Sequence, residues 1–357
     1  MQKIRAEIHL RNIKHNAEAF KTLTGKKLCA VVKADAYGHG AEEVALALEG
    51  VADCFAVSLL EEAVAIRSAV CGKDILILTP PLDVWEAVAA AKNGFIVSVG
   101  DLYSAKLVAA AGEKCKIPVR VHIQINTGMN RYGTYGSWLG RVCAFLHNRS
   151  FVKVEGIYSH LHDYTRANAL LQRERFLAAE RVCRKYFPKC IRHLSATYGA
   201  LLGREFTFDM VRVGIGLYGY LPDGAEDIDE ALVQELDLKK GMTVYAPVVT
   251  TRKYSFGGAG YGKPLDEKQA QKIKDLHIYR YGYADGFLRN KENGVCGFED
   301  HANNLCMDAC VRVGKAKRGA EIALLIDAAE TGKRVGTISY EVLCAATRRA
   351  ERVYDYD

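Results

Sequence analysis

A lysine follows a short apolar run near the start of the chain, in the segment Ala30-Val-Val-Lys33-Ala-Asp-Ala-Tyr37-Gly-His-Gly40. Burial disfavours the charged form of a lysine and depresses its pKa, and a partly neutral amine can attack a carbonyl to form a Schiff base. Lys33 is therefore a candidate nucleophile. The alternative interpretation is a solvated lysine that ends a strand.

Other polar side chains follow apolar runs later in the chain. Taken singly, an arginine usually forms a surface ion pair and a histidine usually fills a structural position. Together, two arginines, a histidine, hydroxyls and a glycine-rich turn indicate a site for an anionic aldehyde cofactor, because backbone N–H groups and a hydroxyl bind phosphate. The candidates are Arg131, Ser159, His160, Ser195, Thr197, Arg212 and the run Gly214-Ile215-Gly216.

Eight apolar runs are predicted strands that would bring these side chains together, and amphipathic stretches typical of helices separate them. Eight such units over about 230 residues predict an α/β fold of the (β/α)₈ TIM-barrel type, with reactive groups at the C-terminal ends of the strands. A doubly wound open sheet is the alternative. The predicted strands are residues 28–33, 54–59, 75–78, 96–99, 119–126, 154–160, 191–197 and 210–214.

The pattern changes after Leu221-Pro-Asp-Gly, where short strand-like runs alternate with glycine-bearing turns. Such a pattern predicts a mainly β domain. We expect a barrel over residues 1–231 and a C-terminal β domain over residues 232–357, with the option that a first strand, about residues 1–10, packs on the latter. The predicted strands of the second domain are residues 244–250, 277–281, 322–326 and 335–339.

The run Gly257-Gly-Ala-Gly-Tyr261-Gly resembles a dinucleotide-binding loop only superficially, because Lys-Pro follows it and it lies among predicted strands. Its glycines would instead let the phenol of Tyr261 project from a turn. The alternative is a turn tyrosine with no role.

Composition excludes several classes of protein. The 357 residues carry a formal charge of +7, and the 49 basic residues are spread along the chain rather than clustered, so we expect no nucleic-acid surface. No apolar run approaches the roughly 20 residues of a membrane span, and the N-terminus lacks an apolar signal core, so we expect a cytoplasmic protein. Eleven cysteines without metal-binding spacing indicate reduced thiols and no metal site.

Seven motifs, in order along almost the whole chain, resemble those of the alanine racemase family. The segment around Lys33 is similar to the family's attachment motif for pyridoxal 5'-phosphate (PLP). The others are Ala6-Glu-Ile-His-Leu, Thr127-Gly-Met-Asn-Arg131, Val211-Arg-Val-Gly-Ile-Gly-Leu-Tyr-Gly219, the run Gly260-Tyr-Gly262 with Gly282-Tyr-Ala-Asp-Gly286, Leu305-Cys-Met-Asp308, and Gly336-Thr-Ile-Ser-Tyr-Glu341.

The resemblance implies a PLP-dependent amino-acid racemase, an isomerase that supplies D-alanine for peptidoglycan precursors. It also implies a head-to-tail homodimer whose active sites combine residues of both subunits. Lys33 would be the base for the D-substrate and Tyr261 of the partner subunit the base for the L-substrate. Two acid/base groups on opposite faces of a planar carbanion exchange its proton more directly than one group that must move.

The resemblance assigns further roles around the cofactor and the substrate. Arg212 would contact the cofactor ring nitrogen and discourage its protonation by like-charge repulsion. His160 would pack near the ring, while Arg131 would contact the phenolic oxygen and the substrate carboxylate. The backbone N–H of Met307 would complete the carboxylate site. The implied phosphate ligands are Thr197, the backbone of Gly214 and Ile215, and the hydroxyls of Tyr37 and Tyr340.

Three positions depart from the family pattern and bear on the substrate. Gln124 stands where many members have a lysine, Asn126 stands where aspartate is usual, and Ser195-Ala-Thr197-Tyr-Gly replaces the usual run. Tyr-Gly at this point is similar to the membrane-bound serine racemases of glycopeptide resistance. Tyr340, however, matches alanine-selective members and leaves little room for a hydroxymethyl group. We therefore expect alanine as substrate, with serine or broad specificity as the alternative.

Three further functions remain as alternatives. A fold-type III amino-acid decarboxylase shares the barrel, the β domain and a lysine after the first barrel strand, but its extended glycine-rich phosphate loop is not evident here. A non-catalytic PLP-binding protein is a lone barrel, so the C-terminal domain argues against it. The last alternative is a barrel without a cofactor.

Overall fold

The computed structural model describes residues 3–163, 165–225, 227–257, 261, 271, 274–288 and 305–356. The chain divides into two compact units, which are named here the barrel unit and the β unit. The barrel unit comprises Ile13–Ala36 and Ala41–Lys239, and the β unit comprises Met1–Asn12, Tyr37–Gly40 and Lys240–Asp357.

The barrel unit contains eight parallel strands in the order β8-β7-β6-β5-β4-β3-β2-β9. Backbone bonds from Arg212 N to Ser195 O (2.9 Å) and from Asp209 N to Arg192 O (3.1 Å) join its two end strands. The predicted eight-stranded barrel is therefore confirmed. The strands, following β1 (Arg5–Ile8) of the β unit, are β2 Lys27–Val31, β3 Cys54–Val57, β4 Asp74–Ile77, β5 Ile96–Val99, β6 Val119–Gln124, β7 Val152–Tyr158, β8 Ile191–His193 and β9 Met210–Val213.

Helices connect the strands and several have capped starts. The carboxylate of Asp83 accepts bonds from Trp85 N (2.7 Å) and Glu86 N (2.9 Å), and Asp101 accepts one from Ser104 N (2.7 Å). Such caps satisfy N–H groups that have no partner inside the helix. The helices are α1 Leu10–Thr24, α2 Ala41–Leu48, α3 Leu60–Ile66, α4 Val84–Lys92, α5 Leu102–Cys115, α6 Gly136–His147, α7 Arg166–Arg184, α8 Thr197–Leu201 and α9 Glu230–Leu236, with 3₁₀ turns at Arg204–Phe206 and Ile215–Tyr218.

The barrel strands are buried on both faces, as expected where helices cover a parallel sheet. Leu28, Cys29 and Ala30 of β2 are fully buried, and so are Val121 and Ile123 of β6. This explains why these strands read as almost continuous apolar runs. The polar exceptions within them are therefore informative, because a polar group buried at such a position needs a partner.

The β unit is a mainly antiparallel sheet centred on a long strand, β10. That strand pairs antiparallel with β1, β11 and β13, while β14 pairs parallel with β1 and β12 pairs antiparallel with β11. The strands are β10 Met242–Lys253, β11 Asp275–Tyr279, β12 Cys310–Val313, β13 Glu321–Leu325 and β14 Glu351–Tyr354, and the helices are α10 Ala328–Val335 and α11 Ser339–Ala346.

The strand predicted over residues 335–339 is wrong. Helix α10 ends at Val335, and Gly336 closes it in the left-handed region (φ 75°), with its N–H bonded to the carbonyls of Gly332 and Lys333. Helix α11 begins three residues later, at Ser339. The β-branched run that predicted a strand is the connection between two short helices.

The described residues contain neither a membrane-spanning helix nor a metal-binding cluster. No helix in those parts of the chain has the length and apolarity that a membrane crossing requires. The same residues form no group of three or more histidine, cysteine, aspartate or glutamate side chains that could hold a metal ion.

Candidate active site

Lys33 lies two residues beyond the end of β2, in a turn whose backbone is left-handed. L-residues avoid this region at a cost of roughly 1–2 kcal/mol each, so a run of them persists only where the surroundings hold it. Glu62 accepts a bond from Ala34 N at 2.7 Å, and Asp35 accepts one from Ala41 N at 2.8 Å. The left-handed residues are Ala34 (φ 52°), Asp35 (54°), Ala36 (53°) and Tyr37 (55°).

Arg212, on β9, carries a guanidinium buried in the barrel interior, with 3% of the residue exposed. Its Nη2 donates to Ser159 O (2.6 Å) and Leu194 O (3.2 Å), and its Nη1 donates to His193 O (2.8 Å). The guanidinium also lies 5.2 Å from the centre of the Tyr158 ring. Its partners are carbonyls and rings rather than carboxylates, and Nε takes no partner among the described residues. One donor is thus available for a ligand.

Arg212 also sets the proton positions on two buried histidines. A guanidinium can only donate, so its bond to His193 Nδ1 (2.9 Å) requires that nitrogen to accept. The proton of His193 therefore sits on Nε2, which donates to His122 Nδ1 at 2.9 Å. The Tyr158 ring stacks on His193 at 4.8 Å. Burial lowers the pKa of His122 to about 4 and that of His193 well below its usual value, so both rings are neutral.

His160 follows β7, and the charges of the three cations of the predicted site act on its ring. Lost hydration, and then the charges of Arg212, Arg131 and Lys33, lower its pKa to about 3. Its Nδ1 lies 3.4 Å from Nη2 of Arg212. The structure thus brings His160 and Arg212 together from separate strands, and His160 is a neutral ring in the positive field of Arg212, Arg131 and Lys33.

Thr197 holds a glycine turn by two hydrogen bonds. Oγ1 of Thr197, a buried residue, accepts from Gly214 N at 3.4 Å and from Gly216 N at 3.2 Å. A Cβ on Gly216 would fall 2.5 Å from the Phe20 ring and 2.9 Å from Thr197 Cγ2, so only glycine fits. Short helical turns begin at Thr197 and Ile215. N–H groups at such starts bind anions.

Arg131 is exposed at the end of the loop that follows β6. The side chain of Asn126 shapes this loop, because its Oδ1 accepts from Gly128 N (3.0 Å) and Asn130 N (3.2 Å). An aspartate could accept these bonds equally, but only the amide donates as well, from Nδ2 to Asn130 Oδ1 at 2.9 Å. Gln124, on β6, keeps its buried Oε1 without a hydrogen-bond partner among the described residues.

In the β unit, Tyr37 and Tyr340 lie side by side. Their ring centres are 5.8 Å apart and their planes meet at 48°. Tyr37 is buried and Tyr340 is half-buried. The two predicted phosphate ligands of this unit are therefore neighbours.

Tyr261 and Met307 of the β unit share a pocket of about 360 Å³ with Cys306, Asp308 and Ala309. Tyr261 is 65% exposed and Met307 is 52% exposed. Backbone bonds from Ala284 N to Met307 O (3.0 Å) and from Cys306 N to Ala309 O (3.2 Å) hold the turn. The second predicted base and the predicted carboxylate ligand thus line one depression.

Sequence reasoning missed His122, His193 and Tyr158, which support Arg212 and its surroundings. The available signal was a polar residue inside an otherwise apolar predicted strand. In the register of the barrel Tyr158 lies opposite His193, which explains why the two rings stack.

The departure at residues 195–199 is built into the packing of the barrel. Ser195 is fully buried, and its hydroxyl donates to Phe206 O at 2.7 Å. A Cβ on Gly199 would fall 2.6 Å from Ser195 Oγ, so the serine and the glycine are fitted to each other. The Ser195 hydroxyl is thus engaged inside the protein.

Comparison with known protein families matches two domains to this chain. The model of the alanine racemase N-terminal domain matches residues 8–222, and that of the alanine racemase C-terminal domain matches residues 241–354. The two matches follow one another along almost the whole chain.

Individual proteins show the same similarity. The chain is 32% identical to an alanine racemase of Desulfovibrio desulfuricans (98% of this chain, 97% of the relative) and 33% identical to one of Carboxydothermus hydrogenoformans (99% and 100%). Among solved structures, alanine racemases of Streptomyces lavendulae and Clostridium difficile superpose with a TM-score of 0.86. The first is 26% identical (100% of this chain, 98% of that chain) and the second 27% identical (99% and 96%).

Proposed function

Because this chain belongs to the alanine racemase family and is therefore an amino-acid racemase, we propose that it interconverts L- and D-alanine with PLP held at Lys33. The observation that carries this proposal is the buried guanidinium of Arg212, which lies 3.4 Å from the neutral ring of His160, while the charges of Arg131 and Lys33 act on the same ring. Cations that act together in one region suit a cofactor that is anionic at its phosphate and its phenolic oxygen.

The residues of the barrel unit fit this cofactor. The short helical turns that start at Thr197 and at Ile215, next to Gly214, are of the kind whose first N–H groups bind a phosphate. Arg212 keeps its Nε free of protein partners, which leaves a donor for the ring nitrogen. A buried cation at that nitrogen keeps it unprotonated by like-charge repulsion. Lys33 would hold the cofactor through its ε-amine.

Racemisation removes the α-proton from one face of the substrate Cα and returns a proton on the opposite face. When bound, PLP supplies the sink for the electron pair that remains when the α-proton leaves. We assign Lys33 Nζ as the group that takes or returns the proton on the D-face, and the hydroxyl of Tyr261 of the partner subunit as its counterpart on the L-face. This assignment includes a head-to-tail homodimer, and it agrees with the exposure of Tyr261 at 65%.

Recognition of the substrate carboxylate is assigned to Arg131 and to the backbone N–H of Met307 of the partner subunit, since Met307 and Tyr261 line one pocket of the same chain. Arg131 is exposed on a loop that Asn126 and Asn130 hold together, so its guanidinium is available for bidentate binding. Gln124 replaces the family lysine with a neutral amide.

We assign the choice between alanine and serine to the bulk of Tyr340, whose ring lies against Tyr37. A pocket of this kind discriminates against one added hydroxyl by only about 10²-fold, so slow racemisation of serine accompanies the main activity. The buried Ser195 adds no hydroxyl for serine, since it is bonded to Phe206 O.

A substrate panel in deuterium oxide tests the proposal. The holoenzyme is incubated with L-alanine, L-serine, L-ornithine and L-lysine, and products are separated by chiral chromatography. We expect L-alanine to give D-alanine with deuterium at Cα and the highest kcat/KM. A clear preference for serine would overturn the substrate assignment, and release of CO₂ with formation of an achiral amine and no D-enantiomer would support a decarboxylase instead.

A further inference from the structure

A second cavity, of about 680 Å³, lies in the barrel unit between the loop after β6, the start of α6 and helix α7. Its volume is in the range of small-molecule sites. Lys33, Thr197 and Arg212 do not line it. We name it the flank cavity, and no step of the proposed racemisation uses it.

Two basic side chains meet at Gly128 on the wall of the flank cavity. A Cβ built on Gly128 would fall 2.8 Å from His162 Nε2 and 3.3 Å from Arg175 Nη1, so both nitrogens pack closely against this glycine and lie near each other only because it has no side chain. Arg175 donates to Thr127 O at 2.9 Å and forms no ion pair with any described carboxylate. None of the described residues lining the cavity is acidic.

The start of α6 adds positive potential to the same cavity through Tyr135 and Gly136. The N-cap residue Tyr135 makes no side-chain capping bond, and the first turn of this 12-residue helix contains no acidic residue. The N–H groups at this end therefore keep the partial positive charge of the helix dipole.

The remaining wall is apolar. Leu139 of α6 and Ala178, Ala179 and Val182 of α7 line it. A ligand that satisfies both sides of the cavity needs an anionic group at the basic end and an apolar body against these helices.

We propose that the flank cavity binds a small carboxylate that carries an apolar body about the size of a phenyl ring. The carboxylate bonds to the guanidinium of Arg175 and to the ring of His162. A planar guanidinium matches the two oxygens of a carboxylate. The bond from Arg175 to Thr127 O holds the guanidinium in place.

Occupancy of the flank cavity acts on Arg131 through the loop they share. Asn130 lines the cavity, bonds to Asn126 at 2.9 Å and immediately precedes Arg131. This consequence rests on the proposed function, because it assumes that Arg131 binds the substrate. The binding itself does not.

Fluorine NMR with 3-(4-fluorophenyl)propionate tests the binding on the holoenzyme. We expect saturable binding that Arg175→Gln weakens at least tenfold and that Ala179→Leu, which fills the cavity, also weakens. Arg181→Gln makes the same charge change on α7 outside the cavity and should leave binding unchanged. Thermal unfolding of each variant verifies that it is folded.

Controls separate this site from the substrate site. The matched amide of the probe should not bind, and saturating L-alanine should not displace the acid. Displacement by L-alanine, or full binding to the folded Arg175→Gln and Ala179→Leu variants, would overturn the proposal. An enzyme without racemase activity that still binds the probe at Arg175 would refute the proposed function and leave this inference intact.

Racemase kinetics test the consequence for Arg131. The probe should change the KM for L-alanine at least twofold in the parent enzyme and in Arg181→Gln, but not in Arg175→Gln. An unchanged KM at saturating probe would show that the cavity does not act on the substrate site.

Discussion

Arg212 Nη1 and His193 Nδ1 are joined by a 2.9 Å hydrogen bond inside the barrel, and the guanidinium is necessarily the donor. This one bond places the proton of His193 on Nε2. That nitrogen therefore donates, and Nδ1 of His122 accepts. A buried cation and two neutral imidazoles thus form a chain with one defined direction. Such a chain holds Arg212 without a carboxylate to neutralise it.

Replacing Arg212 should raise the pKa of His160. Arg212→Met removes the largest charge acting on His160, whose pKa is about 3, while lost hydration remains and keeps the pKa below 6.5. The change also leaves the carbonyl of Ser159 without its donor from Arg212, at about 1–3 kcal/mol, whereas His193 O still accepts from Ser159 N at 3.3 Å. NMR titration of labelled histidine measures the pKa. Arg141→Met, on α6, is the control, and an unchanged His160 pKa would contradict the assigned field.

Stability should fall as the pH drops below about 6.5, because the buried neutral His122 and His193 bind protons only after unfolding. Between that pH and about 4, His122 contributes a slope of about 1.4 kcal/mol per pH unit, and His193 adds to the slope in the same direction. His122→Asn should therefore lower the slope of the unfolding free energy, measured by urea denaturation at several pH values. His147→Asn, at an exposed position, should leave the slope as it is. Equal slopes in both variants would refute the assignment.

The two proposed bases should be separable by isotope exchange. Lys33→Ala should abolish the visible absorption of bound PLP together with turnover. Tyr261→Phe should retain the cofactor but lower kcat by about 10²–10⁴-fold, the usual contribution of a general acid or base. In deuterium oxide this variant should still exchange the α-proton of D-alanine and not that of L-alanine. Tyr103→Phe, at 63% exposure against 65% for Tyr261, is the matched control. Equal loss of exchange from both enantiomers would argue against two bases.

Tyr340 should control the choice between alanine and serine through its bulk. Tyr340→Ser should raise the ratio of kcat/KM for L-serine to that for L-alanine by about tenfold, the lower end of what a change of pocket size produces. Tyr340→Phe keeps the ring and removes the hydroxyl, so it should leave this ratio unchanged. Steady-state kinetics with both substrates measures it. A ratio that changes with Phe as much as with Ser would assign selectivity to the hydroxyl.

Gly216 should be intolerant of a side chain. In Gly216→Ala the new Cβ meets Phe20 and Thr197 at 2.5 and 2.9 Å, which should cost about 1–3 kcal/mol of unfolding free energy and weaken PLP binding. Gly140→Ala, in helix α6 with no atom within 4 Å of its new Cβ, should be neutral or stabilising by up to about 1 kcal/mol. Chemical denaturation and PLP titration measure the two effects, and a neutral Gly216→Ala would show that the turn can relax.

The sequence alone determined the barrel, the β domain, the positions of Lys33 and Arg131 after strands and that of Arg212 within the last barrel strand. Hydrophobic period and strand length are local properties, so they can be read without knowing which strands are neighbours. The wrong strand prediction at residues 335–339 also came from reading a local sequence pattern without its tertiary surroundings. A short β-branched run is also compatible with the connection between two helices, and there the left-handed Gly336 ends α10.

Only the tertiary structure decided the pairing of His122 with His193, which lie 71 residues apart, and the neutrality of His160. Proton positions and pKa values depend on which groups lie within a few ångströms and on how much water remains. Both follow from the register of the barrel strands, and this register results from packing the whole sheet. The flank cavity is of the same kind, because it exists only where α6, α7 and the loop after β6 meet.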